Sequence, residues 1–274
     1  MKLVTFGETM LRLEPAGYGR LVQRLPGALQ ASFAGAEANV AVAFTRLGGT
    51  ASFVTALPDN ELTAALEREL AGLGVETDGI LRTNAGRLGI FFTERGANQR
   101  PSLVVYDREG SAIARSSPER YDWDRLLDGA EWFHITGITP AVSEPAAQAT
   151  RDAVKAATRR DIPVSCDLNF RSKLWRWDGA DDPRALARRV MPEILEHVSL
   201  VIGNEQDAAD VLGIEPPESD VEQGRLSHAG YAGVARAVRD RFPAVRSAAF
   251  TLRESISASR NRWGAMPLPE GEDD

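Results

Sequence analysis

The sequence predicts an α/β fold with a mostly parallel central sheet. Apolar segments of strand length alternate with helical patterns along most of the 274 residues, which is typical of a parallel sheet covered by helices on both faces. The predicted strands cover residues 3–7, 51–57, 132–137, 163–168, 198–203 and 247–252. The predicted helices cover residues 36–47, 62–73, 145–160, 183–197, 205–212 and 230–242.

Two segments, residues 9–32 and 87–117, interrupt this alternation. Both contain short strand-like stretches separated by turn residues, and the second includes stretches 88–94 and 102–108, each about the length of one strand. By themselves these segments indicate β-hairpins added to the α/β core.

The composition is that of an ordinary globular protein and argues against several classes of function. The net charge of −7 and the pI of about 5.2 argue against general binding to nucleic acids or to anionic membranes. Cys166 is the only cysteine, so an internal disulfide is impossible. The start of the sequence lacks the apolar core of a signal peptide, and no apolar run is long enough to cross a membrane, so we expect a cytoplasmic protein.

The most informative stretch is residues 33–49, Phe-Ala-Gly-Ala-Glu-Ala-Asn-Val-Ala-Val-Ala-Phe-Thr-Arg-Leu-Gly-Gly. Small residues around Gly35 make a tight turn, a helix then begins, and the paired glycines end it. Asn39 falls in the first helical turn, where its amide can donate and accept near unpaired backbone N–H groups. An Ala-rich core helix after a glycine turn explains the same residues. A ligand-binding turn and an ordinary core helix are therefore both open interpretations at this point.

A second candidate site is the stretch Tyr106-Asp-Arg108-Glu-Gly-Ser-Ala112. Tyr106 and Arg108 are two residues apart on a predicted strand and therefore share one face. A hydroxyl and a guanidinium on one face can bind an acidic sugar, because the Arg fork matches a carboxylate. The alternative is a cross-strand pair on a solvated surface.

Three further stretches follow predicted strands. Arg171, in the stretch Asp-Leu-Asn-Phe-Arg, can bridge a phosphate and a carboxylate. Asn204 opens a predicted helix and is a good N-cap, which by itself explains its position. The last predicted strand ends in a stretch that contains Thr251, Arg253 and Ser255, and this signal has low specificity.

Together these strings resemble the ribokinase/PfkB family of carbohydrate kinases, and most closely its 2-keto-3-deoxygluconate kinase subgroup. The small-residue turn, the Asn, the helix and the paired glycines are similar to the family's N-terminal signature. The Tyr-x-Arg-x-Gly-Ser-Ala and Asp-Leu-Asn-Phe-Arg strings are similar to the subgroup's. The resemblance covers roughly residues 1–263. It implies a ribokinase-like three-layer α/β/α fold in a single kinase domain over residues 1–274, with segments 9–32 and 87–117 as a small β lid over the substrate.

The resemblance also implies an ATP-dependent kinase that uses Mg²⁺ and phosphorylates a sugar acid such as 2-keto-3-deoxygluconate. The substrate-binding residues that it implies are Gly35, Asn39, Phe91, Tyr106, Arg108 and Arg171, with Phe91 at a position that is often Tyr. The implied nucleotide-binding residues are Asn204, Thr251, Arg253 and Ser255. The expected partner is the small sugar acid, with a homo-oligomer through the lid and with neither nucleic acid nor membrane.

The family's catalytic motif, Gly-x-Gly-Asp, has no match in residues 1–274. In the family it supplies the base for the reacting hydroxyl and the N–H groups that hold the developing charge. We therefore assign no catalytic residue and no metal ligand, expect the kinase domain to be incomplete at its C-terminal end, and expect low kinase activity from these residues. A non-catalytic sugar-acid-binding relative and a kinase for fructose or a nucleoside are the alternatives; Tyr106 and Arg108 favour an acidic sugar.

Overall fold

The computed structural model describes residues 1–179, 182–215, 228–257 and 260–268. Its strands are β1 (Lys2–Phe6), β2 (Met10–Glu14), β3 (Gln30–Ala34), β4 (Thr50–Pro58), β5 (Val75–Glu76), β6 (Ile80–Thr83), β7 (Ile90–Glu94), β8 (Leu103–Asp107), β9 (Trp132–Thr136), β10 (Val164–Asp167), β11 (Leu200–Gly203), β12 (Ser247–Ser257) and β13 (Arg260–Leu268). Its α-helices are α1 (Leu21–Arg24), α2 (Ala36–Arg46), α3 (Glu61–Gly72), α4 (Ala112–Arg115), α5 (Trp123–Leu126), α6 (Ile138–Val142), α7 (Glu144–Arg159), α8 (Pro183–Leu195), α9 (Glu205–Leu212) and α10 (His228–Arg241).

The larger of the two sheets is mostly parallel. Its strand order is β13-β12-β11-β10-β9-β1-β4-β5, with β6 paired to β4. The pairings among its described strands are parallel except for that between β12 and β13. The predicted α/β class with a mostly parallel central sheet is therefore confirmed, and each predicted strand and helix coincides with an observed element.

Both faces of the central sheet are buried around β1. Val4 and Phe6 belong to an apolar cluster that includes α7, α8, α9 and α10, whereas Leu3 belongs to a second cluster with α2 and α3. Alternate residues of a strand point to opposite faces, so helices cover the sheet on both sides. Within the described part of the chain, no helix is both long and apolar enough to span a bilayer.

Four strands form a separate sheet, here called the lid sheet, in the order β3-β2-β7-β8. Its strands lie in the two segments that interrupt the alternation in the sequence, except that β3 continues two residues beyond residue 32. It is joined directly to the central sheet, because only residues 7–9 separate β1 from β2. The strand β8 is an edge strand of the lid sheet and all of it except Val104 is exposed.

The end of the central sheet differs from the prediction. The last strand was expected to end at Leu252, but β12 continues to Ser257 and pairs with an antiparallel strand, β13, that the sequence did not predict. An antiparallel edge pair can leave one face in water and so needs no continuous apolar run. Because most residues after Leu252 are polar, the sequence pattern did not predict this hairpin.

Gly7 is the point at which α2 packs on the carboxyl end of β1. Its N–H donates to the carbonyl oxygen of Val54 at 3.2 Å, which holds it against β4. The carboxyl group of Glu37, from the first turn of α2, occupies the space where a side chain at position 7 would lie, and a Cβ built there would overlap it. The approach of this helix to this strand therefore requires glycine.

Gly7→Ala is expected to lower the free energy of unfolding by about 1–3 kcal/mol or more, because the added methyl displaces a buried carboxyl in a packed region. The control is Gly72→Ala in α3, where an added Cβ has no heavy atom within 4 Å. That change should leave stability unchanged or raise it by up to about 1 kcal/mol. Urea unfolding of both variants checks this, and equal stabilities would contradict the packing described for Gly7.

Candidate functional site

Two of the predicted site residues, Arg171 and Asn204, lie with Glu8 at the carboxyl edge of the central sheet. Strands β1, β9, β10, β11 and β12 are parallel neighbours, so the segments that follow their carboxyl ends meet there. Glu8 follows β1, Asn204 follows β11, and Arg171 lies four residues beyond β10. Open α/β sheets bind ligands at this edge.

A cleft of about 1110 Å³ lies between β8 of the lid sheet and residues 171–177. Three of the predicted substrate residues line it, namely Tyr106, Arg108 and Arg171. Lys173 and Trp177 also line it, although sequence reasoning did not select them. The volume suits a small molecule of sugar size with room for further groups.

The wall of the cleft formed by residues 171–177 is basic. Arg171, Lys173 and Arg176 are exposed there and form no ion pair among the described residues. On the opposite wall, Asp107 is paired with Arg87. The unpaired positive charge favours an anionic ligand in this cleft.

Tyr106 and Arg108 meet in the structure, as their spacing predicts. The guanidinium carbon of Arg108 lies 5.7 Å from the centre of the Tyr106 ring, within the range of a cation–π contact. Phe91 is the cross-strand partner of Tyr106, and the two ring centres are 6.0 Å apart. These three side chains therefore form one group at the end of the β7–β8 pair.

Arg108 also forms a buried ion pair with Glu8. Its Nη2 donates to Oε2 of Glu8, and the two side chains are only 10% and 3% exposed. The partners are 100 residues apart in the sequence. This pair links the lid sheet to the carboxyl end of β1.

Glu37 is a second carboxyl group beneath the site. The hydroxyls of Thr136 and Thr139 donate to its Oε1 at 2.6 and 3.1 Å. Complete burial raises the pKa of Glu37 to about 7, although both hydrogen bonds and the positive charge of Arg108 act in the opposite direction. This carboxyl therefore changes charge near neutral pH.

Gly35 and Asn39 do not reach the cleft. Gly35 is buried, and a Cβ there would overlap the carbonyl oxygen of Glu8 and lie 2.9 Å from the Cα of Thr9. Its small size serves the close packing of α2 against the chain between β1 and β2. Asn39 is exposed and lines a separate cavity of about 300 Å³ together with Thr9 and Glu69. Gly35 and Asn39 therefore do not line the cleft with Tyr106, since α2 turns Asn39 towards α3, and their role in substrate binding stays a prediction.

The predicted nucleotide residues lie further along the same edge. Asn204 caps α9: its Oδ1 accepts from the N–H of Asp207 at 2.8 Å, and Oδ2 of Asp207 accepts from the N–H of Asn204 at 3.2 Å. The hydroxyl of Thr251 donates to the carbonyl oxygen of Gly203 at 3.2 Å. Arg253 belongs to the same strand.

Two predicted residues, Arg253 and Ser255, lie in β12, but their side chains fall outside the described part of the structure.

Burial raises the pKa of Asp167 to about 6, with a further contribution from the charge of Asp207. Among the described residues, no three His, Cys, Asp or Glu side chains are grouped to hold a metal ion.

Sequence reasoning missed the buried role of Glu37. An acidic residue in the first turn of a helix is favourable at the surface, and that ordinary interpretation hid its burial. The sequence did contain a signal of this burial, since Glu37 is the one charged residue in an alanine-rich stretch between Gly35 and Phe44. The structure shows that its carboxyl group lies in the space left by the missing side chain of Gly7.

Glu37→Gln is expected to remove a pH dependence of stability. Because folding raises the pKa of Glu37 from 4.5 to about 7, its protonation stabilises the fold fully below about pH 4.5 and this contribution is lost as the pH rises towards 7. The variant, which retains an oxygen for both threonines, should match the wild type near pH 4.5. It should exceed the wild type by up to roughly 3 kcal/mol above pH 7.

Urea unfolding between pH 4.5 and 8 measures this difference, with Glu61→Gln at the exposed start of α3 as the control. A constant difference between Glu37→Gln and the wild type across this range would show that Glu37 does not titrate there.

Comparison with known proteins identifies relatives over most of the chain. The model of the pfkB family carbohydrate kinases matches residues 1–231. A 2-dehydro-3-deoxygalactonokinase of Haloferax volcanii is 36% identical over 214 residues, 78% of this chain. A 2-dehydro-3-deoxygluconokinase of Thermoproteus tenax is 30% identical over 220 residues, 80% of this chain. The chain spans 64% of the length of each of these two relatives.

A solved structure shows the same fold. The crystal structure of a 2-dehydro-3-deoxygluconokinase from Thermotoga maritima superimposes with a TM-score of 0.90 at 42% identity, covering 99% of this chain and 78% of that one. The prefixes 2-dehydro and 2-keto describe the same carbonyl group, so this name agrees with the subgroup that the sequence resembles. The ribokinase-like fold is therefore confirmed, and the chain belongs to the pfkB family of carbohydrate kinases.

Proposed function

We propose that the protein is an ATP-dependent kinase for a sugar acid of the 2-keto-3-deoxygluconate type. The single observation that supports this most is the cleft in which Tyr106, Arg108 and Arg171 meet beside further unpaired cations. A neutral sugar needs hydroxyl partners rather than guanidinium groups, whereas a carboxylate is matched by the Arg fork. The names of the relatives point to the same substrate class.

The proposed roles follow from the position of each residue. Arg108 binds the substrate carboxylate, and Tyr106 beside it donates a hydrogen bond to a substrate oxygen. Arg171 faces them from the other wall of the cleft and, with Lys173, offers positive charge where a phosphoryl group is transferred. Phe91 supports the Tyr106 ring by packing and adds no hydroxyl contact.

The residues present fit a nucleotide with a magnesium ion bound mainly through phosphates and water. When bound, ATP supplies the phosphoryl group, and Mg²⁺ neutralises part of its charge. Asn204, Asp207 and Thr251 would hold the magnesium–nucleotide complex through their side-chain oxygens. So few protein oxygens suit Mg²⁺, because this ion keeps several waters and takes few protein ligands. Asp207 is already used by backbone N–H groups of Asn204 and Phe170, so it would act through water.

The test of this function is binding, measured by calorimetry on residues 1–274, since the sequence holds no Gly-x-Gly-Asp motif and turnover is a poor readout. The wild type should bind 2-keto-3-deoxygluconate more tightly than fructose. Tighter binding of fructose would instead favour a kinase of neutral sugars.

Arg108→Ala should weaken the binding of 2-keto-3-deoxygluconate by roughly 10- to 100-fold, the equivalent of a lost charged hydrogen bond, and that of fructose much less. The matched control is Arg95→Ala, which removes another lid-sheet arginine paired with a buried carboxylate, Glu14, away from the cleft. Equal losses for the acid and the neutral sugar in Arg108→Ala would refute the carboxylate role. Arg171→Ala, an exposed change, tests the opposite wall of the same cleft if Arg108→Ala does not fold.

We also propose that two copies associate through the lid sheet and its connecting segment. This is supported by large apolar side chains exposed there: Tyr18, Val22, Leu25, Leu103 and Val105. The most exposed of these five is Val22 in α1, at 81%. Apolar side chains exposed together in a patch mark an interaction surface, whereas single ones do not. We likewise propose a cytoplasmic location, because ATP, the proposed co-substrate, is a cytoplasmic solute.

Val22→Asp is expected to convert a dimer to a monomer in light scattering after size exclusion, because a charge cannot be buried unpaired in an apolar contact. Leu47→Asp is the control, since Leu47 is 87% exposed but lies at the end of α2, outside the lid sheet. A wild-type monomer at high protein concentration would rule out the proposed dimer.

A further inference from the structure

The ion pair of Glu8 and Arg108 is buried but incompletely bonded. Besides the bond from Nη2 to Oε2, Arg108 Nε and Glu8 Oε1 are buried and have no hydrogen-bond partner among the described residues. A guanidinium carries five N–H donors, and unmade hydrogen bonds of buried groups are costly. Such a pair adds little to stability compared with apolar packing, so its presence calls for another explanation.

We propose that Glu8 is a positioning residue for Arg108: it holds the guanidinium in the orientation that receives the substrate carboxylate and thereby sets the preference for acids over neutral sugars. This inference rests on the proposed function. Glu8 itself need not touch the substrate.

Arg108 requires an external anchor because of its place in the fold. It lies just beyond β8, an edge strand whose outer side has no neighbouring strand among those described. Glu8 comes instead from the connection that leaves β1. A single bond therefore ties a lid-sheet arginine to the frame of the central sheet, which also carries Arg171.

The bond also selects which part of the fork remains for a ligand. With Nη2 held by Glu8 and Nε buried, the other terminal nitrogen, Nη1, is left to face the cleft that Arg108 lines. The negative charge of Glu8 opposes an incoming carboxylate, so charge by itself cannot explain why it stands there. The useful property of Glu8 is its reach, meaning the length of its side chain, which lets it hold the long side chain of Arg108 in one orientation.

Charges on the neighbouring elements do not replace this anchor. Glu37 from α2 interacts with Arg108 through the electric field, but its hydrogen bonds go to Thr136 and Thr139. The cations of the opposite wall, such as Arg171, repel the guanidinium. Among the described residues, Glu8 is the one side chain that makes an ion pair with Arg108.

The experiment separates reach from charge with three variants. Glu8→Gln keeps the length and a hydrogen-bond acceptor without the charge. Glu8→Asp keeps the charge but is shorter by one methylene, and Glu8→Ala removes both. The quantity measured is the ratio of the dissociation constants for fructose and 2-keto-3-deoxygluconate, by calorimetry on residues 1–274. Glu14→Gln and Glu14→Ala are matched controls, since Glu14 is similarly buried and pairs with Arg95.

Glu8→Gln should keep the wild-type ratio within about twofold, the scatter of a neutral change, whereas Glu8→Asp and Glu8→Ala should lower it about tenfold or more. The Glu14 variants should leave the ratio unchanged. Because Glu8→Asp retains a charge beside Arg108, it keeps the test decisive if Glu8→Ala does not fold.

Two other results would overturn the inference. If Glu8→Asp keeps the ratio while Glu8→Gln loses it, the charge of Glu8 matters rather than its reach. If all three variants keep the ratio while the wild type prefers the acid, Glu8 has no positioning role although the proposed function stands. A wild type without any preference for the acid would defeat the proposed function itself, and this inference with it.

Discussion

The close packing at the carboxyl end of β1 is the constraint on which the rest of the structure depends. Gly7 leaves space for the Glu37 carboxyl, and Gly35 leaves space for the backbone at Glu8 and Thr9. Without side chains at these two glycines, the first turn of α2 can lie against the chain that leads from β1 to the lid sheet. The central sheet, α2 and the lid sheet therefore meet at one point, which is also where ligands bind in such folds.

This packing buries charge next to the cleft. The charge of Glu8 is compensated by Arg108, while Glu37 accepts hydrogen bonds from two threonine hydroxyls and has a pKa near neutrality. The fold tolerates the burial of both carboxyl groups because each has a specific partner or can take a proton. The opposite wall, with Arg171, Lys173 and Arg176, carries positive charge that forms no ion pair among the described residues. The site is thus closely packed on the side of the sheet and positively charged on the other.

Much of this was predictable from residue types in order along the chain. The alternation of apolar strands with helices predicted the central sheet, and the sequence singled out Tyr106, Arg108 and Arg171, which line one cleft in the structure. Asn39 was placed in the same cleft by resemblance, yet α2 directs it to another cavity. The strand β13 was missed because its hairpin lies at an edge, where one-sided pairing leaves no apolar pattern to detect.

The sequence by itself determined the class of fold, the family and the residue types available at the carboxyl edge of the sheet, because these depend on local periodicity and on short strings. The tertiary structure alone decided which of those residues meet. Glu8 and Arg108 are 100 residues apart, and their pairing depends on how the lid sheet leaves β1. The burial of Glu37 likewise depends on the missing side chain of Gly7, a residue on another element. Contacts of this kind arise from packing between elements, which no local pattern encodes.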